Sequence, residues 1–295
     1  MKYRCKVFLI LTIACSSTIF SMEKRDRIGS SISRPTTLIW DLGGVLTENS
    51  WSKYISYIGI SKVLFHMVWD WRLPHHTCKA RTFEVLDQVP VPQEMIFKGA
   101  CIGDGTAMPA IMGAYQAGLL QREQVLPLLQ ETIERLEKDS FFRSSYEKAL
   151  IESIIDHMFN PETLVSCNYI LSDGLSMVQA VAEQKNDDGS NIYAQYVLSN
   201  WDFESFQLMG DRFNSLFSYF KGIVISGAIG TIKPMQEAFK QIIETYALTK
   251  ADCVFIDDRK ENIEAALSYG IGHAVHFVSY EKLREDLNAL GITGI

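Results

Sequence analysis

Thr37-Leu38-Ile39-Trp40-Asp41-Leu42-Gly43-Gly44-Val45 is the stretch whose reading decides the fold. The run from Thr37 to Leu42 is continuously apolar up to its carboxylate, without the in-out alternation of a half-exposed strand, so it predicts a strand covered on both faces. Two glycines end it. Outward along the chain the pattern recurs at Tyr193–Ser199, after the turn-rich Asn186–Asn191, and then at Gly222–Ser226, Asp252–Ile256 and His273–Val278. Helical spacing fills the gaps at Asp202–Leu208, Met235–Tyr246, Asn262–Tyr269 and Glu281–Leu290. Strand and helix in alternation predict an α/β fold, a doubly wound (Rossmann-like) parallel sheet of about five strands. In such a sheet the chemistry lies just beyond the carboxyl ends of the strands.

Roughly 150 residues separate the first run from the second, and they differ in character. Trp51–Trp71, Ala107–Leu120, Arg122–Leu136 and Phe141–Phe159 read as helices, and the stripe Phe65, Met67, Trp69, Trp71 reads as inter-helix packing. This block predicts an inserted helical cap. The expected division is a catalytic core over 35–47 plus 175–295, a cap over 48–174 and a polar linker over 22–34.

Residues 1–21 read as an export signal: Lys2, Arg4 and Lys6 precede the apolar run Val7–Ala14, and Cys15-Ser16-Ser17-Thr18 comes directly after it. Thr12-Ile13-Ala14-Cys15 is an imperfect lipobox, so a secretory and a lipoprotein signal both stand, beside an uncleaved anchor or a cytoplasmic enzyme. The expectation is an exported protein, periplasmic or lipid-anchored, with no membrane element beyond that segment. Of the six cysteines, two fall in the signal-like segment and none forms a CxxC pair. Pro74-His75-His76-Thr77-Cys78 is read as a solvated loop in preference to a zinc site, since adjacent histidines project apart.

With 47% hydrophobic residues in 295, the chain can bury a core and is not disordered. A formal net charge of −7 with no basic stripe excludes a nucleic-acid binder. It leaves room for a small phosphorylated metabolite, because a metal ion supplies positive charge locally.

The chemistry is carried by the residues at the carboxyl end of each strand. The first ends on Asp41, the second on Ser199-Asn200, the fourth on Asp257-Asp258, and the loop after the third leads to Gly230-Thr231-Ile232-Lys233-Pro234. A carboxylate, a hydroxyl, an ammonium and an acidic pair thus meet at one sheet edge. A carboxylate that attacks phosphorus splits hydrolysis into two easier steps. Two anions repel, so a cation is required, and Mg2+ prefers oxygen ligands. Asp41, Asp257 and Asp258 offer carboxylates and Gly43 a carbonyl. Lys233 adds a fixed charge beside the nucleophile. Ser199, Asn200 and the Gly43-Gly44 turn offer donors to phosphoryl oxygens. Asn262, one helical turn past Asp258, orients that residue or caps its helix.

Taken in order, these four segments resemble the four motifs of the haloacid dehalogenase-like (HAD-like) hydrolases. Asp41 with Val45 matches the first, Ser199 the second, Lys233 the third and Asp257-Asp258 the fourth. The wording Leu198-Ser199-Asn200, Gly230-Thr231-Ile232-Lys233-Pro234 and Phe255-Ile256-Asp257-Asp258 with Asn262-Ile263-Glu264-Ala265-Ala266 is similar to the branch holding glucose-1-phosphate phosphatases and the phosphatase domain of soluble epoxide hydrolases. The resemblance covers roughly 35–47 and 175–290. It implies a magnesium-dependent phosphomonoesterase with Asp41 as nucleophile, Ser199 and Lys233 as catalytic partners and a helical cap. The paired acids favour phosphorus over the metal-free carbon chemistry of the dehalogenases. One position departs: phosphatases of this superfamily usually carry a second Asp two residues after the nucleophile, and here that residue is Gly43. An acid from elsewhere would have to serve, with Glu48, His66, His75, His76 and Asp104 as candidates. The alternative is a catalytically weak relative that binds a ligand or partner through its enlarged cap.

Overall fold

The computed structural model describes residues 35–69, 74–103 and 105–295, with only the helical backbone described among residues 65–77. The signal-like segment and linker expected at 1–34 lie outside the described residues. In chain order, the strand β1 (Thr37–Trp40) leads through a tight loop to β2 (Thr47–Asn49). The helices α1 (Trp51–Ile58), α2 (Ile60–Trp69), α3 (Pro74–Leu86), α4 (Ala110–Gln116), α5 (Arg122–Lys138), α6 (Ser145–Met158) and α7 (Pro161–Cys167) come next. The chain returns by β3 (Asn168–Ile170) and α8 (Ser172–Glu183) to β4 (Ala194–Ser199), α9 (Phe203–Arg212) and α10 (Asn214–Phe217). It ends with β5 (Gly222–Ile225), α11 (Ser226–Ile229), α12 (Gln236–Thr245), β6 (Cys253–Asp257), α13 (Lys260–Tyr269), β7 (His273–His276) and α14 (Tyr280–Ala289). Among the described residues no helix is long and apolar enough to cross a membrane.

The expected doubly wound sheet is present: five parallel strands in the order β5-β4-β1-β6-β7. β1 is central, and the chain winds outward on one side through β4 and β5, then crosses to β6 and β7. The crevice at such a switch point lies beside the end of β1. Both faces of the sheet are buried, which explains the continuous apolar runs. Leu38, Trp40, Val197, Val254 and Ile256 pack on one side with Met177, Val178 and Leu283. Ile39, Tyr196, Leu198 and Phe255 pack on the other with Phe239 and Ile242. The three polar side-chain atoms that Trp40 and Gln195 carry into the first layer are satisfied in series. Trp40 Nε1 donates to Gln195 Oε1 at 3.1 Å, and Gln195 Nε2 donates to the Val178 carbonyl at 2.9 Å.

The helical block has its own core, built by Leu86, Ile111, Tyr115, Val125, Leu129, Ile151 and Phe159 among others. It leaves and rejoins the sheet through one antiparallel pair, with Thr47 opposite Ile170 and Asn49 opposite Asn168. Several boundaries differ from those the sequence predicts. The helix expected over Trp51–Trp71 breaks at Gly59, whose φ of 102° no other residue adopts easily. Pro74–Cys78, expected as a solvated loop, opens α3: proline fits a first helical turn, where its missing N–H costs nothing, and Cys78 is buried. The expected boundary between cap and core at 174/175 falls inside α8, whose Met177, Val178 and Val181 belong to the sheet's core.

The block is seated on the core by bare backbone. A side chain at Gly118, after α4, would place its Cβ 2.3 Å from the Gly227 carbonyl oxygen, and one at Gly227 would lie 2.4 Å from the Phe203 nitrogen. The Ser226 hydroxyl donates to the Gln116 carbonyl at 2.6 Å and accepts from the Trp201 N–H at 2.8 Å. Gly210, by contrast, lies inside α9 with nothing within 4 Å of its would-be Cβ. Gly118→Ala and Gly227→Ala are therefore expected to cost about 2 kcal/mol or more each, from steric overlap and, at Gly118, the left-handed backbone. Gly210→Ala is expected to add about 0.5–1 kcal/mol, because alanine is the better helix former. Melting temperatures of the three variants check this, and a Gly210→Ala loss or a silent Gly118→Ala would contradict it.

Candidate active site

Asp41, Ser199 and the acidic pair are delivered by strand ends, while Lys233 comes from the loop between α11 and α12. The Asp41 N–H donates to the Ile256 carbonyl at 2.9 Å, so β1 and β6 stay paired up to the carboxylate. Beyond Asp41 the chain folds back at once: the Thr47 N–H donates to the Leu42 carbonyl at 2.8 Å and the Gly44 N–H to the Thr47 carbonyl at 2.9 Å. Gly44 has φ 75°, and a Cβ there would lie 2.6 Å from Asp258 Oδ2. Glycine is thus demanded twice, by backbone angle and by the neighbouring carboxylate. Gly43 is different. Its φ lies outside the left-handed range and a Cβ would meet nothing within 4 Å.

Lys233 is the hub. Its side chain is buried, and its Nζ lies 2.9 Å from Asp41 Oδ1, 2.6 Å from Asp257 Oδ2 and 2.9 Å from the Leu198 carbonyl oxygen. The ammonium faces three oxygens from the ends of β1, β6 and β4, donating to Leu198 and Asp257 and holding Asp41 by charge. Burial alone would lower the lysine's pKa; Asp257 and then Asp41 outweigh it and hold the ammonium charged. Burial pushes the Asp257 carboxyl up, and Lys233 opposes that rise. The Asp258 carboxyl is also raised, by burial and by the Asp41 charge, with Arg259 opposing.

Two expected ligands turn out to brace the site. Asp257 is fully buried and accepts from Lys233, from the Arg259 N–H at 2.8 Å and from Asn262 Nδ2 at 2.9 and 3.1 Å. Both of its oxygens are engaged, so its task is to hold Lys233 and the start of α13. Asn262 serves Asp257, not the Asp258 that its spacing suggests. Asn200 clamps the backbone of Lys233: its Oδ1 accepts from the Lys233 N–H at 2.7 Å and its Nδ2 donates to the Lys233 carbonyl at 2.9 Å. Its side chain therefore positions Lys233 and is not free for a phosphoryl group. The sequence hides this clamp, since the two residues are far apart in the chain. Ser199 is buried at the end of β4 with no side-chain hydrogen bond among the described residues.

Asp41, Asp257 and Asp258 each offer a carboxylate oxygen within 4.8 Å of the others. Asp41 Oδ1 and Asp258 Oδ1 are buried without a hydrogen bond, the first held only by the charge of Lys233 at 2.9 Å and the second only by that of Arg259 at 3.5 Å. Three acids so close together carry more negative charge than these side chains offset, and a hard divalent cation with oxygen preference would balance it. The residues present fit magnesium, with Asp41 and Asp258 as carboxylate ligands and the Gly43 carbonyl in the same loop. Of the candidate acids, Glu48 is exposed and accepts from the Tyr169 hydroxyl at 3.2 Å. The side chains of His66, His75 and His76, and residue Asp104, lie outside the described residues.

No protein-family model matches the chain. The structure is similar to that of a HAD family enzyme from Bacteroides thetaiotaomicron in complex with magnesium and inorganic phosphate. The TM-score is 0.51 at 16% identity, covering 84% of this chain and 98% of that one. The fold is that of the haloacid dehalogenase-like hydrolases. A mutant of the same Bacteroides enzyme, also with magnesium and phosphate, matches the HAD-like fold equally, at a TM-score of 0.51. In sequence the chain is 25% identical over 155 residues to a chloroplast flavin mononucleotide hydrolase of Arabidopsis thaliana. The match spans 50% of this chain and 61% of that relative.

The hub sets opposite expectations for two variants. Lys233→Met leaves two buried carboxylates without their cation and is expected to cost about 3–5 kcal/mol. Asp41→Asn removes one of two acids competing for one lysine and is expected to leave metal-free stability unchanged or slightly raised. Thermal unfolding without divalent ions distinguishes them; equal losses would show that the hub is not balanced as described.

Proposed function

We propose that the protein is a magnesium-dependent hydrolase of small phosphate monoesters, acting through an aspartyl-phosphate on Asp41. The observation that carries this reading is the gathering of Asp41, Asp257 and Asp258 within 4.8 Å of one another, with Asp41 and Asp258 held by charge and no hydrogen bond, around a lysine buried between carboxylates. Two relatives lend support: the Bacteroides enzyme with the same fold carries magnesium and phosphate, and the Arabidopsis relative is named for hydrolysing a phosphate monoester. The motif wording favours the branch of glucose-1-phosphate phosphatases and the epoxide hydrolase phosphatase domain.

In this reading an Asp41 oxygen attacks phosphorus, the ester P–O bond breaks and the leaving oxygen takes a proton. Water then attacks the acyl-phosphate, phosphate leaves and the Asp41 carboxylate is restored. A bound magnesium ion would supply the charge that lets two anions meet. Lys233, held by Asp257 and by the Asn200 clamp, keeps a positive charge against Asp41 throughout. The Ser199 hydroxyl and the Leu42 and Gly43 N–H groups would donate to phosphoryl oxygens, whereas the expected Gly44 donor is spent on the Thr47 carbonyl. The helical block covers small substrates from bulk water. Asp41→Asn is expected to reduce turnover of an aryl phosphate by at least about three orders of magnitude, as loss of a nucleophile does. Exhaustive chelation is expected to abolish turnover and magnesium to restore it. Activity that survives chelation would overturn the reading; binding without turnover would favour the ligand-binding alternative.

Gly43 gives the finer test. Glycine stands where the superfamily usually keeps its acid, so unless another residue supplies the proton the rate is expected to depend steeply on leaving-group pKa. The open space and ordinary backbone at Gly43 admit a side chain. Gly43→Asp is therefore expected to fold, to flatten that dependence and to raise alkyl phosphate turnover by about 10²–10⁴-fold, the usual worth of a placed acid. A flat dependence in the parent enzyme would show that another acid already acts.

A further inference from the structure

Arg259 stands directly after the acidic pair and links it to the helical block. It sits at the N-terminal boundary of α13 without a side-chain cap there. Its guanidinium runs outward, with Nε 3.5 Å from Asp258 Oδ1 and Nη1 donating to the Cys101 carbonyl at 3.2 Å. Cys101 belongs to a tight reversal between α3 and α4. The reversal is closed by three backbone bonds: Ile102 N–H to Thr106 carbonyl at 2.8 Å, Gly105 N–H to Ile102 carbonyl at 2.8 Å, and Met108 N–H to Ala100 carbonyl at 2.9 Å. A Cβ at Gly103 would lie 3.7 Å from Arg259 Nη2, so the guanidinium runs along this turn. The base of the reversal, Ala100 and Met108, packs on Ile232, the residue before Lys233. The segment thus touches the site at two points, one apolar and one ionic.

The two contacts of the guanidinium differ in kind. The bond to Cys101 is a directed hydrogen bond. The contact with Asp258 is charge alone, for Asp258 Oδ1 keeps no hydrogen-bond partner. That oxygen can pass to another cation without a hydrogen bond being broken. We propose that Arg259 is a positioning residue that ties the 100–108 reversal to the metal site and competes with the metal for Asp258. The inference rests on the magnesium reading above. Since coupling between two equilibria is reciprocal, a cation bound at Asp258 loosens the reversal, and cutting the tether strengthens cation binding. An incoming phosphate ester would then meet a guanidinium released from Asp258.

The test compares the full protein with Arg259→Met and Arg259→Lys by hydrogen exchange and by calorimetric titration with MgCl2, without substrate. In metal-free Arg259→Met, amides of residues 100–108 are expected to exchange on the order of tenfold faster, with β1 and β6 unchanged, given what a charge-assisted hydrogen bond contributes. Magnesium is expected to bind that variant roughly threefold to tenfold more tightly, as a half-exposed like charge near the ion is removed. Arg259→Lys keeps the charge, so affinity stays near wild type while the reversal loosens. Unchanged exchange at 100–108 in Arg259→Met overturns the tether, and equal or weaker magnesium binding overturns the competition. If the wild type binds no magnesium, the phosphohydrolase reading and the competition both fall, and the metal-free exchange still decides the tether.

Discussion

A single buried ammonium holds this molecule's working edge together. Lys233 collects oxygens from the ends of three strands, and without it Asp41 and Asp257 would face each other unpaired inside the protein. A buried ion pair is weak evidence of net stability, since desolvation offsets much of the attraction. Its value here is positional. Asp257 spends both oxygens on Lys233, Asn262 and the Arg259 N–H, and Asn200 fixes the lysine's backbone from the other side. Asp41 and Asp258 remain the least committed, each with one oxygen held by a neighbouring cation's charge and by no hydrogen bond. The site is therefore layered, with saturated groups behind and hungry ones in front.

The parallel sheet was legible in the sequence because burial on both faces leaves short continuous apolar runs, here alternating with helical spacing. The first run announced a strand, and its terminal acid, glycine pair and Val45 pointed to a candidate site at its end. The helical block was legible as helical and hard to divide. Gly59 breaks a pattern that looks continuous, and Pro74 starts a helix where a proline next to two histidines suggests a loop. In both cases one residue's backbone preference decides the outcome, and periodicity cannot see it.

Within the site, identities were easier to read than partners. Asp41, Ser199 and the acidic pair fall where their strands end, and Lys233 follows the short helix α11 after β5. Which acid is clamped and which is open depends on depth, and Asp257 and Asp258 are adjacent letters with opposite fates. A strand sends alternate side chains to opposite sides, so Asp257, the last residue of β6, sinks into the core while Asp258 stands at the rim. Asn262 accordingly reaches the deeper acid, and Asn200 is drawn to the Lys233 backbone. Such amide clamps join residues that no local spacing connects.

The narrow β2–β3 stalk bears on how the chain reaches this state. β1 must find β4 across a long intervening stretch, with Thr37 opposite Ala194, and loops of that length make pairing slow. The stalk puts Thr47 opposite Ile170, so once the helical block has collapsed on its own core its two ends emerge side by side. Topologically the detour shrinks to a hairpin, and the search for the central strand pair becomes nearly local. The same geometry lets the block lengthen, shorten or exchange helices over evolutionary time while the register of the sheet, and with it the spacing of the acids, stays fixed.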